Sequence, residues 1–149
     1  MRLEEAIQQE AFKSEYQKAV VNLMYTYFFV KEKLSSRLND YGVTLQQYNV
    51  LRILKGQYPK GITTSDIRSR MLDKMSDASR LVDRLEKLEL VIKKVNPDDR
   101  RLVIVTITEA GLELLKIVEI EKGSIEQLSD KLNVEEVSQL NTLLDKMRG

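Results

Sequence analysis

The 149-residue chain contains no cysteine, no histidine and no tryptophan. Without cysteine there is no disulfide framework, no thiolate nucleophile and no zinc–thiolate site. Without histidine the chain lacks the commonest general base and the commonest metal ligand. We therefore expect a protein that is not an enzyme, with no catalytic residues, no metal site and no cofactor.

Net charge and long apolar runs are also scarce. Lys and Arg total 24 against 23 Asp and Glu, which excludes a uniformly basic coat around a nucleic-acid-binding protein. The apolar run 20–30 is interrupted by Asn22 and Thr26 and is shorter than the ~20 residues that a membrane-spanning helix needs. The acidic N-terminal sequence is unlike a signal peptide. We expect a soluble, cytoplasmic protein with no membrane contact.

Helical periodicity dominates the first part of the chain. Apolar residues recur at steps of three or four from Leu3 to Tyr41, and no proline or glycine occurs before Gly42. This pattern predicts one helix of about 35 residues. Further apolar residues, such as Met24 and Phe28, widen the stripe beyond one face. Since such a helix needs an additional surface to bury it, the pattern predicts a partner subunit.

Capping residues mark the helices that follow. Thr44 with Gln47, and Thr63 with Asp66, have the spacing of N-terminal caps. Ser76 is expected to open a third helix, which ends near residue 88. Three short helices are therefore predicted between residues 44 and 88.

The period then changes from helix to strand. Two β-branched runs, 91–95 and 102–107, flank Asn96–Arg101, whose Asn-Pro and Asp-rich composition favours a turn. The sequence predicts a two-stranded hairpin there, followed by two more helices, the first capped by Thr108.

The order of elements over residues 44–107 is that of a winged helix-turn-helix. The predicted fold class is mainly α with a small β-hairpin wing, an α+β arrangement. We expect a single domain, 1–149, with a winged helix-turn-helix DNA-binding lobe at 44–107. Residues 1–41 and 108–149 are expected to form a helical dimerisation region.

Two features of this lobe suit DNA. Ser76, Arg80 and Arg84 are four residues apart, so they are expected on one face of a helix that a major groove can admit. Arg101 lies at the hairpin tip, where a narrow minor groove attracts arginine, and Asp99 is placed to hold it extended by a bidentate pair. Taken alone, each of these features occurs more often on a surface that only contacts solvent than at a DNA-binding site. Their order along the chain favours nucleic-acid binding.

At these residues the chain resembles the MarR family of bacterial transcription regulators. The resemblance rests on Ile62–Ile67, on Ser79–Glu86 and on Asn96–Arg101 followed by Val105–Gly111. The segment Asn96–Arg101 followed by Val105–Gly111 is the most specific, because it is similar to the family's Asp-x-Arg wing followed by a Leu/Ile-Thr-x-x-Gly helix start. The detailed resemblance covers roughly residues 44–118.

This resemblance implies a homodimer that binds a pseudo-palindromic operator in double-stranded DNA and regulates transcription, with repression as the simplest action. It implies major-groove contacts by the recognition helix, a minor-groove contact by the wing and phosphate contacts nearby. The DNA-binding residues expected on this basis are Thr64, Ser65, Ser76, Asp77, Ser79, Arg80, Arg84, Lys93, Lys94, Asp99, Arg100 and Arg101. The alternative is a dimeric winged-helix module for protein interaction, with little DNA affinity.

Members of the family often release DNA when a phenolic or lipophilic ligand binds between the dimer helices and the DNA lobe. The residues expected to line such a site here are Tyr25, Phe28, Phe29, Tyr48 and Tyr58, with Tyr27 nearby. Packing in the core or in the dimer is the alternative reading for each aromatic side chain.

The chain departs from the family pattern at two notable positions. Glu89 stands where a glycine usually ends the recognition helix, so that helix is expected to run on or to end without a left-handed cap. Arg68 stands where a small residue is common, which puts the packing of the short helix in question.

Overall fold

The computed structural model describes residues 1–122 and 125–149. Its helices are α1 (Leu3–Ala6), α2 (Glu15–Leu38), α3 (Leu45–Lys55), α4 (Thr64–Arg70), α5 (Ala78–Lys87), α6 (Glu109–Lys122) and α7 (Val134–Arg148), with 3-10 turns at Asn39–Tyr41 and Ile125–Ser129. Its strands are β1 (Ile62–Thr63), β2 (Val91–Val95) and β3 (Val103–Ile107). The predicted class, mainly α with a small β-wing, is confirmed. Among the described helices, none combines the length and hydropathy needed to cross a bilayer.

The single N-terminal helix predicted from periodicity is wrong, because the chain breaks between α1 and α2. The backbone turns at Gln8, which has a φ of 53°. The hydroxyl of Ser14 accepts a hydrogen bond from the backbone N–H of Gln17 at 3.2 Å and so starts α2 as its N-cap. An ion pair of 2.7 Å between Glu4 and Lys18 links the two helices across the break.

The predicted hairpin is present as β2 and β3, with Val91 opposite Ile107 in an antiparallel register. A third strand, β1, was not predicted. It pairs with β3 so that Ile62 lies opposite Val105, and the strand order is β1-β3-β2. Since β1 has only two residues, it is too short to show an alternating pattern in the sequence.

The core is built around α3, which packs against α2, α4, α5, α6 and β3. Val50, Leu51 and Leu54 of α3 are buried together with Ile67 of α4 and Leu85 of α5. The capping boxes expected at Thr44 and Thr63 are present at the starts of α3 and α4. These caps fix where the two helices begin, and the buried side chains fix their mutual packing.

The two outer helices expose much of their apolar surface. Only Leu38 of α2 is buried, and α7 buries none of its residues. We call the following residues the apolar helical surface: Tyr16, Val20, Leu23, Met24, Tyr27, Phe28 and Phe29 of α2, with Leu140, Leu143 and Met147 of α7. Single exposed apolar side chains are ordinary, but a set that follows two whole helices is typical of a protein interface.

A left-handed turn at Glu89, with a φ of 59°, ends α5. The N–H of Glu89 donates to the carbonyl of Glu86 at 2.9 Å, and the N–H of Leu90 donates to that of Leu85 at 3.0 Å. This is a Schellman arrangement. The expectation that α5 would run on or lack a left-handed cap was wrong. The reason is that Leu85 and Leu90 are both buried, and their burial outweighs a backbone strain of about 1–2 kcal/mol.

Thr108 joins this turn to α6. Its hydroxyl donates to the carbonyl of Glu89 at 2.8 Å and accepts from the N–H of Gly111 at 3.0 Å, while its own N–H donates to the carbonyl of Leu90 at 3.1 Å. A β-carbon at Gly111 would collide with the carbonyl oxygen of Leu90 and with the side chain of Ile107. The Thr-x-x-Gly sequence is therefore the joint between the wing and the helical region.

We expect Glu89→Gly to raise the free energy of unfolding by about 0.5–1 kcal/mol. Glycine removes the steric cost of a positive φ. This gain is partly offset because glycine loses more conformational entropy on folding than glutamate does. The midpoint of thermal unfolding should rise by about 1–4 °C in calorimetry at fixed protein concentration. Glu89→Ala is the control, because it removes the carboxylate and keeps the β-carbon. An equal gain in both variants would assign the effect to the carboxylate and contradict the backbone explanation.

Candidate nucleic-acid interface

The predicted recognition helix, α5, begins at Ala78 rather than at Ser76. Asp77 is its N-cap, and a carboxylate oxygen of Asp77 accepts a hydrogen bond from the N–H of Arg80 at 3.1 Å. Ser76 therefore lies in the preceding turn, and the predicted helical face shared with Arg80 and Arg84 does not include it. Both Ser and Asp are good capping residues, so the sequence did not distinguish the two starts. Within the described residues, the buried hydroxyl of Ser76 has no hydrogen-bond partner.

Two surface clefts meet at the turn before α5, since Met75, Ser76 and Asp77 line both. The first cleft, about 320 Å³, is also lined by Thr44, Gln46, Asp73, Arg80, Leu81 and Arg84. The second, about 440 Å³, is also lined by Thr64, Ser65, Arg68, Ala78 and Ser79. The structure thus brings the predicted contact residues of α4 and α5 into one region.

Several residues of this region were not predicted as contacts. Met75 is 92% exposed at the head of α5, and nothing in the pattern distinguishes it from an ordinary turn residue. Arg68 was noted only as a departure from the family pattern. It follows Thr64 by four residues and Ser65 by three, a spacing that places side chains on one face of a helix and that could have revealed it.

The start of α4 is held by a reciprocal pair of hydrogen bonds. The N–H of Asp66 donates to the hydroxyl of Thr63 at 3.1 Å, and the N–H of Thr63 donates to the Asp66 carboxylate at 3.2 Å. A further bond from the Thr63 hydroxyl, at 2.7 Å, contributes most to lowering the pKa of Asp66. Since Thr63 also belongs to β1, the cap fixes Thr64 and Ser65 relative to the sheet.

The tip of the wing, which comprises β2, β3 and the turn between them, carries the expected bidentate pair. Nε and Nη2 of Arg101 donate to the two carboxylate oxygens of Asp99, each at 3.1 Å. The Arg101 side chain remains 90% exposed, and Arg100 is exposed beside it. The Arg101 guanidinium lowers the pKa of Asp99. The Arg101 guanidinium is therefore paired with Asp99 and exposed at the tip.

The two lysines of β2 differ in their surroundings. Nζ of Lys93 lies 2.7 Å from Oδ1 of Asp83 and 3.0 Å from Oε2 of Glu86, both on α5. The hydrogen bonds from Lys93 to Asp83 and then to Glu86 raise the pKa of Lys93, and the same contact lowers the pKa of Asp83. Lys94 points to the opposite face of the strand and is exposed. Lys93 is thus engaged within the protein.

An apolar groove of about 470 Å³ lies between α2, α3 and the chain that follows α4. Its lining consists of Tyr27, Val30, Lys31, Leu34, Leu45, Gln46, Asn49, Met71, Leu72, Asp73 and Lys74. None of the five aromatic residues predicted for a ligand site, Tyr25, Phe28, Phe29, Tyr48 and Tyr58, lines this groove.

The predicted aromatic residues lie elsewhere because neighbours on a helix point in different directions. Tyr27, which belongs to the apolar helical surface, also lines the groove, whereas Phe28 and Phe29 belong to that surface and do not line the groove. Tyr48 packs against the core, and the hydroxyl of Tyr58 donates to Glu109 at 3.0 Å. Clustering in the sequence did not determine which side chains converge, since successive helical residues differ by about 100°.

Comparisons with known proteins agree with this geometry. Residues 41–102 match the sequence model of the MarR family. The HTH-type transcriptional regulator MhqR of Bacillus subtilis (strain 168) is 28% identical over 133 residues, which cover 87% of this chain and 89% of MhqR.

Solved structures extend the likeness to the fold. The MarR transcription factor from Planctomyces limnophilus is 33% identical, with a TM-score of 0.67 and coverage of 91% of this chain and 98% of that one. A mutant of MarR from E. coli complexed with operator DNA gives a TM-score of 0.77 at 21% identity, over 93% of this chain and 99% of that one. The second likeness concerns the fold alone.

Proposed function

The chain belongs to the MarR family, whose members are transcription regulators rather than enzymes, and we propose that it acts as a homodimer that binds operator DNA and represses transcription. The observation that carries this proposal is the combination of an exposed arginine face on α5 with a wing whose tip exposes Arg101, oriented by its bidentate pair with Asp99. Operator binding is also the state in which the structurally similar E. coli MarR mutant was solved.

The dimensions of α5 suit a major groove. Its 10 residues span about 15 Å, and a groove about 12 Å wide admits one helix. Arg80 and Arg84, one turn apart and both exposed, are in position to contact guanine edges or phosphates. Asp77 and Ser79, exposed at the head of the helix, fit the more permissive contacts there.

The remaining cations suit the DNA backbone and the minor groove. Thr64, Ser65 and Arg68 line one cleft next to α5, where hydroxyls and a guanidinium can donate to phosphate. A narrow minor groove concentrates negative potential, and Arg101, 90% exposed at the tip of the wing, is our candidate to enter it. Lys94 and Arg100 on the wing add positive charge to this strip.

The apolar helical surface supports the homodimer. It covers α2 and α7, where one subunit alone leaves Phe28, Leu143 and their neighbours exposed. Dimerisation would bury these side chains and align two α5 helices for half-sites about one helical turn, or ~34 Å, apart. The groove next to α2 would then lie between the dimer helices and the DNA-binding lobe.

The apolar groove is our candidate effector site, in place of the aromatic cluster expected from sequence. Its apolar walls, and its two cations, Lys31 and Lys74, which outnumber the single carboxylate of Asp73, suit a small lipophilic or aromatic anion. Lys31 lies 5.8 Å from the ring centre of Tyr27. Because the groove joins α2 to the turn before α5, a ligand that prefers one spacing of these elements would shift the dimer away from the DNA-binding geometry.

We expect Arg101→Ala to weaken operator binding about tenfold and to reduce the slope of log Kd against log salt by about one, because one phosphate-type contact is lost. The measurement is fluorescence anisotropy on DNA from upstream of the chain's own gene, over a salt series with random DNA as competitor. Arg148→Ala, on α7, is the matched control and should change neither value. Unchanged binding by Arg101→Ala would refute the wing contact. Wild-type binding no stronger than to random DNA would favour the protein-interaction module.

We expect the double variant Leu140→Asp/Leu143→Asp to convert the dimer into a monomer, because two charges enter the apolar helical surface. Light scattering after size-exclusion chromatography measures the mass, and circular dichroism checks that the helices remain. Leu72→Asp is the control, since Leu72 is 88% exposed on the DNA-binding lobe. A wild-type monomer, or a double variant that stays dimeric, would contradict the assignment of this surface.

We expect the fluorescent aromatic anion 1-anilinonaphthalene-8-sulfonate to bind the groove and to weaken operator binding. Tyr27→Ala should reduce its affinity about fivefold, as loss of one aromatic contact of about 1 kcal/mol predicts. Phe28→Ala, one residue away and outside the groove, is the control. Equal losses in the two variants would place the probe on the apolar helical surface instead.

A further inference from the structure

The recognition helix and the wing diverge from one vertex, the left-handed turn at Glu89. Arg80 and Arg84 lie along one arm, α5, whereas Arg101 lies beyond the end of the other arm, β2. DNA fixes the distance between its major and minor grooves. A protein that uses both arms must therefore hold the angle between them.

Lys93 connects the two arms away from the vertex. Its Nζ donates to Asp83 at 2.7 Å and to Glu86 at 3.0 Å, and its backbone N–H donates to the other carboxylate oxygen of Glu86 at 3.3 Å. Asp83 and Glu86 are three residues apart, so both carboxylates lie on the side of α5 that faces β2. We call this arrangement the Lys93 bridge.

We propose that Lys93 is a positioning residue, which sets the angle between the recognition helix and the wing through the Lys93 bridge and does not contact DNA. The inference rests on the proposed DNA-binding function. It departs from the expectation that Lys93 and Lys94 act alike as contacts to DNA.

The charges favour this role. Two carboxylates surround the Lys93 ammonium, so the group as a whole offers a phosphate no net attraction. Isolated surface ion pairs contribute little, but here two side-chain bonds and one backbone bond converge on the same pair of elements. The Lys93 side chain is also only 31% exposed, against 58% for Asp83, so the cation lies beneath its partners.

The length of the wing makes the angle consequential. Nine residue steps lead from the turn at Glu89 to the start of the tip at Asp98, at most about 30 Å of extended chain at ~3.3 Å per residue. A rotation of about 10° at the turn would displace the tip by up to about 5 Å. Such a displacement is larger than the tolerance of a hydrogen bond, so Arg101 would no longer reach the minor groove while α5 remained in the major groove.

The first experiment compares Lys93→Met with its neighbour Lys94→Met, and with Lys93→Arg as the conservative replacement. We expect Lys93→Met to weaken operator binding about tenfold and to reduce the salt slope by about one, because the displaced wing no longer brings Arg101 to DNA. Added to Arg101→Ala, the same change should therefore alter neither value further. Lys94→Met should reduce the slope by about one. Lys93→Arg should restore most of the affinity. A further loss of affinity and of slope when Lys93→Met is added to Arg101→Ala would identify Lys93 as a direct phosphate contact and overturn the proposal.

The partner carboxylates provide a test that depends on the sign of the effect. If Asp83 and Glu86 merely repelled DNA, the double variant Asp83→Asn/Glu86→Gln would bind more tightly, because two negative charges are removed. The Lys93 bridge instead predicts weaker binding, by about the same factor as Lys93→Met. Tighter binding would overturn the proposal.

A third measurement needs no DNA. In the free protein, Lys93→Met should speed amide hydrogen exchange in β2 and β3 by about tenfold, whereas Lys94→Met should leave it unchanged. Equal exchange in the two variants would overturn the bridge itself. The proposed function can fail separately. If Lys93→Met speeds exchange but the wild-type protein binds operator no better than random DNA, the Lys93 bridge stands. The proposed function is then refuted, and with it the role of Lys93 at DNA.

Discussion

The left-handed turn at Glu89 is the constraint on which the rest of the lobe depends. It ends α5, starts β2 and supplies the carbonyl that Thr108 uses to begin α6. Gly111 keeps α6 close enough for that bond to form. Three elements thus meet within a few residues, and the recognition helix, the wing and the helical region obtain their relative directions from a single backbone conformation.

Electrostatics at the interface is organised by pairing rather than by excess charge. A net charge of +1 does not suggest a DNA-binding protein. Yet Asp99 pairs with Arg101, Asp77 caps the recognition helix, and Asp83 and Glu86 pair with Lys93. Acidic residues near the interface therefore order the cations and the helix that carries them. Counting charges over the whole chain hides this arrangement, because the acids that lower the total are part of the site.

Sequence patterns predicted those elements that have a local cause. The caps at Thr44 and Thr63 and the hairpin turn follow from side chains that bond to their own neighbourhood, and each was predicted correctly. Features set by tertiary contacts were missed. Burial of Leu90 imposed a left-handed conformation on a glutamate, and pairing with β3 created a strand of two residues.

The residues of the candidate site follow the same rule: those close together in the chain were predicted, and those brought together by tertiary contacts were not. The spacing of Arg80 and Arg84 and the Asp99–Arg101 pair were readable from the sequence, because both depend on residues close in the chain. The lining of the groove was not, because it combines α2 and α3 with the turn before α5. The same holds for Lys93, whose partners lie seven and ten residues away on another element.

The ion pairs of the wing also shift the pKa values of the groups that form them. Contact with Lys93 lowers the pKa of Asp83, contact with Arg101 lowers that of Asp99, and the two carboxylates raise the pKa of Lys93. A carboxyl group with a lowered pKa stays ionised further into acid, and a lysine with a raised pKa stays protonated further into alkali. Each shift moves the titration away from neutrality. Both ion pairs therefore stay charged on either side of neutral pH, so the contacts that hold Lys93 and Arg101 do not depend on pH in that range.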